Sequence, residues 1–309
     1  MATKILFVGI GGVGGFFGGK LAQFYENKPH VEVCFLARGK HLENMQNYGL
    51  SVHHLNQHFS ANPSLLSDKG DEIGECDYVF FATKNYSLTK VAKQVIPCIG
   101  AHTKIITLLN GVSSLDVLEQ LFPHNEVING CVYILSKIKS PGVIENFGNI
   151  QKMFFGRNQE SVEDLRGIEK IFLDAGIDFK LSDSILEITW SKFVFISAVG
   201  TSSSYFDVGI GEILEDEAKA KILTQLLEEV AALGKAKGVR LESSIVQDVI
   251  SKLKRLPKDT TSSMQRDFRN GSETEIDSLT HFVINEAKDL GVAVPTYNEL
   301  YNDLIKKLP

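Results

Sequence analysis

The sequence predicts an α/β doubly wound sheet in the first half of the chain and an all-α domain in the second. Three features carry that expectation. Up to residue 110, short apolar and β-branched runs alternate with helical patterns: "KILFVGI", Phe16 to Tyr25, "VEVCFLA", "YVFFA", "SLTKVAKQVI" and "KIITLLN". Such alternation is the mark of parallel strands joined by crossover helices. A glycine-rich turn follows the first run directly. From about Ser184, helical periodicity takes over in 184–200, 212–237, 242–255, 275–290 and 296–307, with breaks at Gly200, Gly238, Pro257, Gly271 and Gly291 to Pro295. The expected domains are 1–183 and 184–309. Between 126 and 156, β-rich segments around a Pro141-Gly142 turn read as antiparallel strands extending the sheet edge.

Composition narrows the function classes. A chain of 309 residues, 43% hydrophobic and 23% charged, has enough apolar surface for two cores, so disorder is not expected. A formal charge of −6 argues against nucleic acid or an anionic membrane as a partner, and the expected ligands are small molecules. No segment approaches the roughly 20 apolar residues of a membrane span. Cys34, Cys76, Cys98 and Cys131 have no C-x-x-C spacing, which suits reduced thiols in a cytoplasm and suggests no metal site. His53, His54 and His58 cluster without ligand spacing and read as an exposed turn or strand.

The turn "GIGGVGGFFGG" places Gly9, Gly11 and Gly14 in G-x-G-x-x-G spacing where a strand gives way to a helix. The first glycine permits the tight turn, the second lets backbone approach a pyrophosphate, and the third lets helix pack on strand. The helix N-terminus supplies N–H groups for the anion. With Gly12, these glycines are the candidate dinucleotide-binding backbone of a Rossmann-type domain; the bland alternative is a merely flexible turn. The second strand, "VEVCFLARGK", has its acid, Glu32, at its start and Arg38 at its end, with Lys40 close by. A 2′-hydroxyl reader would be acidic at that end. Arg38 suits a 2′-phosphate and hence NADPH, unless it belongs to a solvated basic loop. Lys84, in "YVFFATKN", and Asn110, in "IITLLNG", fall just past two further strands, where ligands of such sheets gather. Each has a bland alternative, a surface lysine and a turn-forming asparagine.

In the second half, "ITWSKFVFISAVG" sets Lys192 in an apolar run that reads as a helix buried all round. A buried ammonium costs several kcal/mol unless paired or used. Snorkelling of the head group into water is the alternative. Glu275 lies in "SETE" and "TEID", both of which fit helix capping boxes, and Ser263 could belong to another cap.

Taken in order, "GIGGVGG", Arg38, "ATK" at Lys84, "LNG" at Asn110, "EITWSK" ending in Lys192, "TSSMQRD" with Ser263, "TEID" with Glu275 and the closing "AKDLGVAVPTYNELY" resemble the ketopantoate reductase (2-dehydropantoate 2-reductase) family over nearly the whole chain. The resemblance implies an all-α second domain like the C-terminal domain of 6-phosphogluconate dehydrogenase, with the active site in the cleft between the domains. It implies NADPH-dependent reduction of the 2-keto acid 2-dehydropantoate to (R)-pantoate, a step towards pantothenate and coenzyme A. Lys192 would be the general acid, its pKa lowered by partial desolvation. Asn110 would fix the ammonium and the cofactor, Glu275 would hold the substrate hydroxyl and Ser263 its carboxylate, and Lys84 would line the cofactor side. Enzymes of this kind occur as monomers and homodimers, and no metal is implied.

The chain also departs from the family. Ile196 and Gly200 stand where members often carry asparagine after the catalytic lysine. Ile196 lies one helical turn beyond Lys192, so a polar substrate contact is replaced by an apolar one. That leaves open a related reductase of another, less polar 2-keto acid, and, in a different class, a weakly catalytic NADPH-binding sensor or scaffold.

Overall fold

In the computed structural model, which describes residues 2–308, the chain divides into two units. The first comprises residues up to Leu109 together with Ser114–Ile185; the second comprises Asn110–Ser113 and the chain from Leu186 onwards. The boundary read from the sequence kept the tetrapeptide Asn110–Ser113 with the first domain.

The first unit is built on a ten-stranded sheet. Its strands are β1 (Thr3–Val8), β2 (Val31–Leu36), β3 (Leu50–His54), β4 (Gln57–Ala61), β5 (Leu65–Ser67), β6 (Cys76–Phe81), β7 (Ile99–Thr107), β8 (Val127–Ser140), β9 (Val143–Gly156) and β10 (Asp178–Ser182). They run in the order β4-β3-β9-β8-β7-β6-β1-β2-β5, with β10 paired to β9. Helices α1 (Gly12–Tyr25), α2 (Gly39–Tyr48), α3 (Gly70–Ile73), α4 (Leu88–Gln94), α5 (Ser114–Leu121) and α6 (Arg166–Asp174) connect them. The β1, β2, β5, β6 and β7 ladders are all parallel. Two-sided burial explains their unbroken apolar sequences. Ile5 and Phe7 enter one core, while Leu6 and Val8, one residue out of phase, enter the core on the opposite face. Phe7 stacks on Phe80 with ring centroids 5.0 Å apart, and Phe155, Phe172 and Phe179 continue the same aromatic cluster.

The hairpin β8–β9 forms through the expected turn, with Gly142 at φ 75°. Its place in the sheet differs from the expectation. It lies inside the sheet, because β8 pairs in parallel with β7 and β9 with β3, leaving β4 and β5 as the two ends. The partner strand β3 (Leu50–His54) alternates buried Leu50 and Val52 with half-buried Ser51 and His53, but that pattern does not say which strand it pairs with.

The second unit packs α7 (Ile185–Phe206), α8 (Ile210–Glu215), α9 (Glu217–Ala236), α10 (Ile245–Leu253), α11 (Ser263–Arg269), α12 (Phe282–Leu290) and α13 (Pro295–Leu304) around one apolar core. Helix α7 does not break at Gly200 but runs on to Phe206. Gly200 is buried against Met264 and Leu279, and four buried hydroxyl residues, Thr201 to Ser204, follow it inside the helix. Ser202 Oγ bonds back to the Ala198 carbonyl at 2.8 Å, the local pairing that lets serine sit inside a helix. The single helix expected over 212–237 is interrupted at Asp216, whose carboxylate caps α9 by accepting from the N–H groups of Ala218 and Lys219. A π-helical turn, Asp277–His281, leads into α12. No helix among the described residues is long and apolar enough to cross a membrane.

Candidate active site

The glycine turn follows β1 and opens α1, the first of two candidate groups, one in each unit. Gly9 has φ 90°, a conformation that penalises any residue with a Cβ. A Cβ on Gly14 would lie 2.2 Å from the Gly9 carbonyl oxygen, so the turn closes on the helix only because both positions are glycine. At Gly11 a Cβ would meet nothing within 4 Å. The backbone there faces open space at the start of a helix whose first turn holds no acidic residue. This is an arrangement that accepts an anion on the helix N–H groups. The residues present therefore fit a dinucleotide pyrophosphate.

Arg38 is exposed directly after β2, where it immediately precedes α2, and Lys40 is exposed beside it. Glu32 is at the other end of the strand, in register with Lys4. Lys84 follows β6 and is half-buried. Sequence reading passed over three side chains of this unit. Thr83 has its methyl 2.7 Å from where a Cβ on Gly9 would stand, and Ser136 borders Gly12 in the same way. The hydroxyl oxygens of both are buried without a hydrogen-bond partner. His41 braces the turn. Its Nε2–H donates to the Ile10 carbonyl at 2.8 Å, and its Nδ1 accepts from the N–H of Gly142 at 2.9 Å. A main-chain N–H can only donate, so this imidazole is neutral, and burial pushes its pKa below the ordinary histidine value. Thr83 carried a signal in "ATK"; His41, in a polar helix, carried none.

The second group lies in the helical unit. Lys192 Nζ donates to Asn110 Oδ1 at 2.8 Å, joining two residues 82 positions apart. The lysine's helix is not buried all round as expected. Ile188, Lys192, Phe195 and Ile196 form a half-buried strip on α7, while Trp190, Phe193 and Val194 fill the core on its other sides. The ammonium thus has apolar flanks without full desolvation. Asn110 stands in a turn made by Gly111, at φ 87°, and a Cβ on Gly111 would sit 3.4 Å from the carbonyl oxygen of Ser278. Ser278 Oγ in turn donates to the Glu275 carbonyl at 3.2 Å. Glu275 itself is buried, at 3% exposure, unlike the solvated carboxylates that usually cap helices. The π-helical turn after it is tied to α7 by Ser197 Oγ donating to the Leu279 carbonyl and by Thr201 paired with Thr280 at 2.8 Å. Such turns are frequent at functional sites. Lys192 and Asn110 are thus joined directly, and the Asn110 turn borders Ser278, which bonds to the main chain of Glu275. Ser263 is the first residue of α11, half-buried beside Met264; the cap is its neighbour Ser262, which accepts from the Gln265 N–H.

Comparison with known proteins gives two consecutive family matches: "Ketopantoate reductase PanE/ApbA" over residues 5–160 and "Ketopantoate reductase PanE/ApbA C terminal" over 184–308. The chain is 32% identical over 302 residues to the uncharacterized oxidoreductase YkpB of Bacillus subtilis (strain 168), covering 97% of each chain. It is 26% identical to the 2-dehydropantoate 2-reductase of Pyrococcus horikoshii, covering 94% of this chain and 93% of the relative. The crystal structure of 2-dehydropantoate 2-reductase from Porphyromonas gingivalis W83 superimposes with a TM-score of 0.87 at 32% identity, over 99% of this chain and all of that one.

Proposed function

Because the chain belongs to the ketopantoate reductase family, and is accordingly a nicotinamide-dependent oxidoreductase, we propose that it reduces 2-dehydropantoate to pantoate with NADPH. The observation that carries this reading is the Lys192 ammonium held at 2.8 Å by Asn110 beside half-buried apolar side chains. When bound, reduced nicotinamide supplies a hydride to the carbonyl carbon. As the C=O bond becomes C–O, negative charge grows on oxygen, and Lys192 Nζ delivers the proton that turns it into a hydroxyl. Asn110 accepts from one N–H of the ammonium and fixes its direction. Glu275, kept from water by burial, would accept from the substrate hydroxyl, and Ser263 would bind its carboxylate. Gly9, Gly11, Gly12 and Gly14 would hold the pyrophosphate, Arg38 the 2′-phosphate, and Lys84 would line the cofactor. Four buried cysteines, none in a disulfide, support a reducing, cytoplasmic setting.

A second reading rests on Ile196. It lies one turn beyond Lys192 on the half-buried strip with Ile188 and Phe195, so the surface beside the proton donor offers methyl groups in place of a hydrogen bond. It favours a 2-keto acid with an apolar side chain. NADPH oxidation against a panel of 2-keto acids separates the two readings: ketopantoate should give the highest kcat/KM, and faster turnover of an unhydroxylated branched or aromatic 2-keto acid would replace the first reading by the second. Lys192→Ala should lower turnover of the best substrate by about 10²- to 10⁴-fold, the usual worth of a general acid, with NADPH still bound. Undiminished turnover would remove Lys192 from the reaction under either reading.

A further inference from the structure

A cleft of about 600 Å³ opens on the first unit beside the later turns of α1, among the β3–β4 hairpin and the turn that follows α6. It is separate from the glycine turn, which occupies the beginning of α1. Its size falls in the range of small-molecule sites, about 300–1,000 Å³. Phe16, Phe24 and Phe59 give it flat apolar walls, and its polar lining comes from Lys20 and His54 together with Gln23, Gln57 and His58.

None of those polar groups is a carboxylate. Lys20 Nζ spends one donor on the Gly176 carbonyl, at 3.0 Å, and lies 5.7 Å from the centre of the Phe16 ring. Among the described residues no carboxylate pairs with this ammonium, and burial pushes its pKa below the ordinary lysine value. His54 is oriented from behind by Asn146, a residue only 1% exposed, whose amide nitrogen is 3.1 Å from His54 Nδ1. The same asparagine's Oδ1 accepts from the N–H of Gly148, which assigns its NH₂ to the histidine. An NH₂ donates, so Nδ1 accepts and the remaining ring nitrogen, Nε2, carries the proton. The imidazole stands edge-on to Phe16, with centroids 5.8 Å apart.

We propose that this cleft is a second ligand site, outside the nucleotide site, for a small aromatic carboxylate. The rings take the flat body, and two free N–H donors of Lys20 with the Nε2–H of His54 take the carboxylate. Lys20 is the one Lys or Arg among the lining side chains and balances a single negative charge, which favours a carboxylate over a phosphate dianion. The site lies along the helix that presents its N-terminus to the cofactor.

The test uses 2-naphthoate as probe, titrated against the full-length protein with saturating NADPH present, so that the nucleotide site is closed to it. Saturable binding is expected. The neutral 2-naphthamide should bind about tenfold more weakly, and Lys20→Gln should weaken 2-naphthoate by about the same factor, the worth of one charge-assisted hydrogen bond. Phe24→Ser, at a rim position that is 37% exposed, should weaken both probes alike and serves if Lys20→Gln fails to fold. NADPH affinity should be unchanged in the Lys20 variant. Equal binding of the acid and the amide, 2-naphthoate affinity indifferent to both substitutions, displacement of the probe by NADPH, or tighter binding of 2-naphthyl phosphate would each overturn the assignment.

Discussion

Removing Asn110 tests whether the 2.8 Å contact to Lys192 orients a proton donor or only fills a turn. The donor is charged and half-buried, so the bond falls in the class worth about 1.5–3 kcal/mol. At about 1.4 kcal/mol per decade, its loss in the transition state predicts a fall in kcat of roughly 10- to 100-fold for Asn110→Ala. The decisive measurement is a double-mutant cycle. Wild type, Asn110→Ala, Lys192→Ala and the double variant are compared by the kcat of NADPH oxidation at saturating NADPH, so that any cofactor contact of Asn110 is removed from the comparison. If Asn110 acts through the ammonium, its removal should cost no more than about threefold once Lys192 is gone, giving a coupling of at least about 1 kcal/mol. Independent, multiplying losses would refute the reasoning, and Asn110 would then be a backbone turn residue whose proximity to Lys192 is incidental.

Three further outcomes follow from the first unit. Arg38→Ala should weaken NADPH about tenfold while leaving NADH nearly untouched, measured by quenching of protein fluorescence, because the 2′-phosphate would lose one charge-assisted contact; equal losses would end its role as the 2′-phosphate reader. Gly11→Ala and Gly14→Ala should part company. The first has room for its methyl group and should keep its melting temperature while losing cofactor affinity. The second drives a methyl into the Gly9 carbonyl and should lose about 1–3 kcal/mol of stability or more. The brace at His41 gives a pH dependence. Its folded-state pKa is depressed, so its stabilisation is fully present above the unfolded value of about 6.5 and is lost as pH falls through the folded pKa. The gap in denaturation midpoint between wild type and His41→Ala should therefore narrow from about pH 8 to about pH 5, and a gap that widens on acidification would contradict the neutral tautomer.

The glycine turn was legible because its chemistry is local. Strand, turn and helix are contiguous, and the three glycines answer to constraints set within fourteen residues of the N-terminus. The parallel strands around it were legible for a related reason: two-sided burial leaves them no polar positions, so they appear as unbroken apolar runs. The place of the β8–β9 hairpin was not legible. Its depth in the sheet depends on β3, a short strand recruited from far earlier in the chain, and register between distant segments leaves no periodic trace. Gly200 misled for a different reason. Glycine lowers helix propensity by about 1 kcal/mol, yet α7 continues through it because the missing side chain lets Met264 and Leu279 close on the helix.

At the candidate site, sequence singled out Lys192 and Asn110, which the structure joins, and passed over Ser278 and the π-helical turn that stand behind them. Lys192 was conspicuous as a charge in an apolar run, but the same run suggested complete burial, whereas the lysine lies on the strip of α7 that the core leaves half-open. This difference bears on mechanism. A proton donor must meet a substrate that arrives and departs, so a sealed ammonium would be inert and a fully solvated one would gain nothing from its neighbours. The half-open strip, with Asn110 fixing one N–H from the side, would meet both demands under the proposed reading, and it leaves Ile188, Phe195 and Ile196 half-buried on the same face. Under that reading, selectivity among 2-keto acids would be decided by the same helix face that supplies the proton. Ile196→Asn, by adding a hydrogen-bonding group to that face, should raise kcat/KM for ketopantoate relative to an apolar 2-keto acid. A ratio that does not move would mean that the side chain of the substrate lies against some other surface.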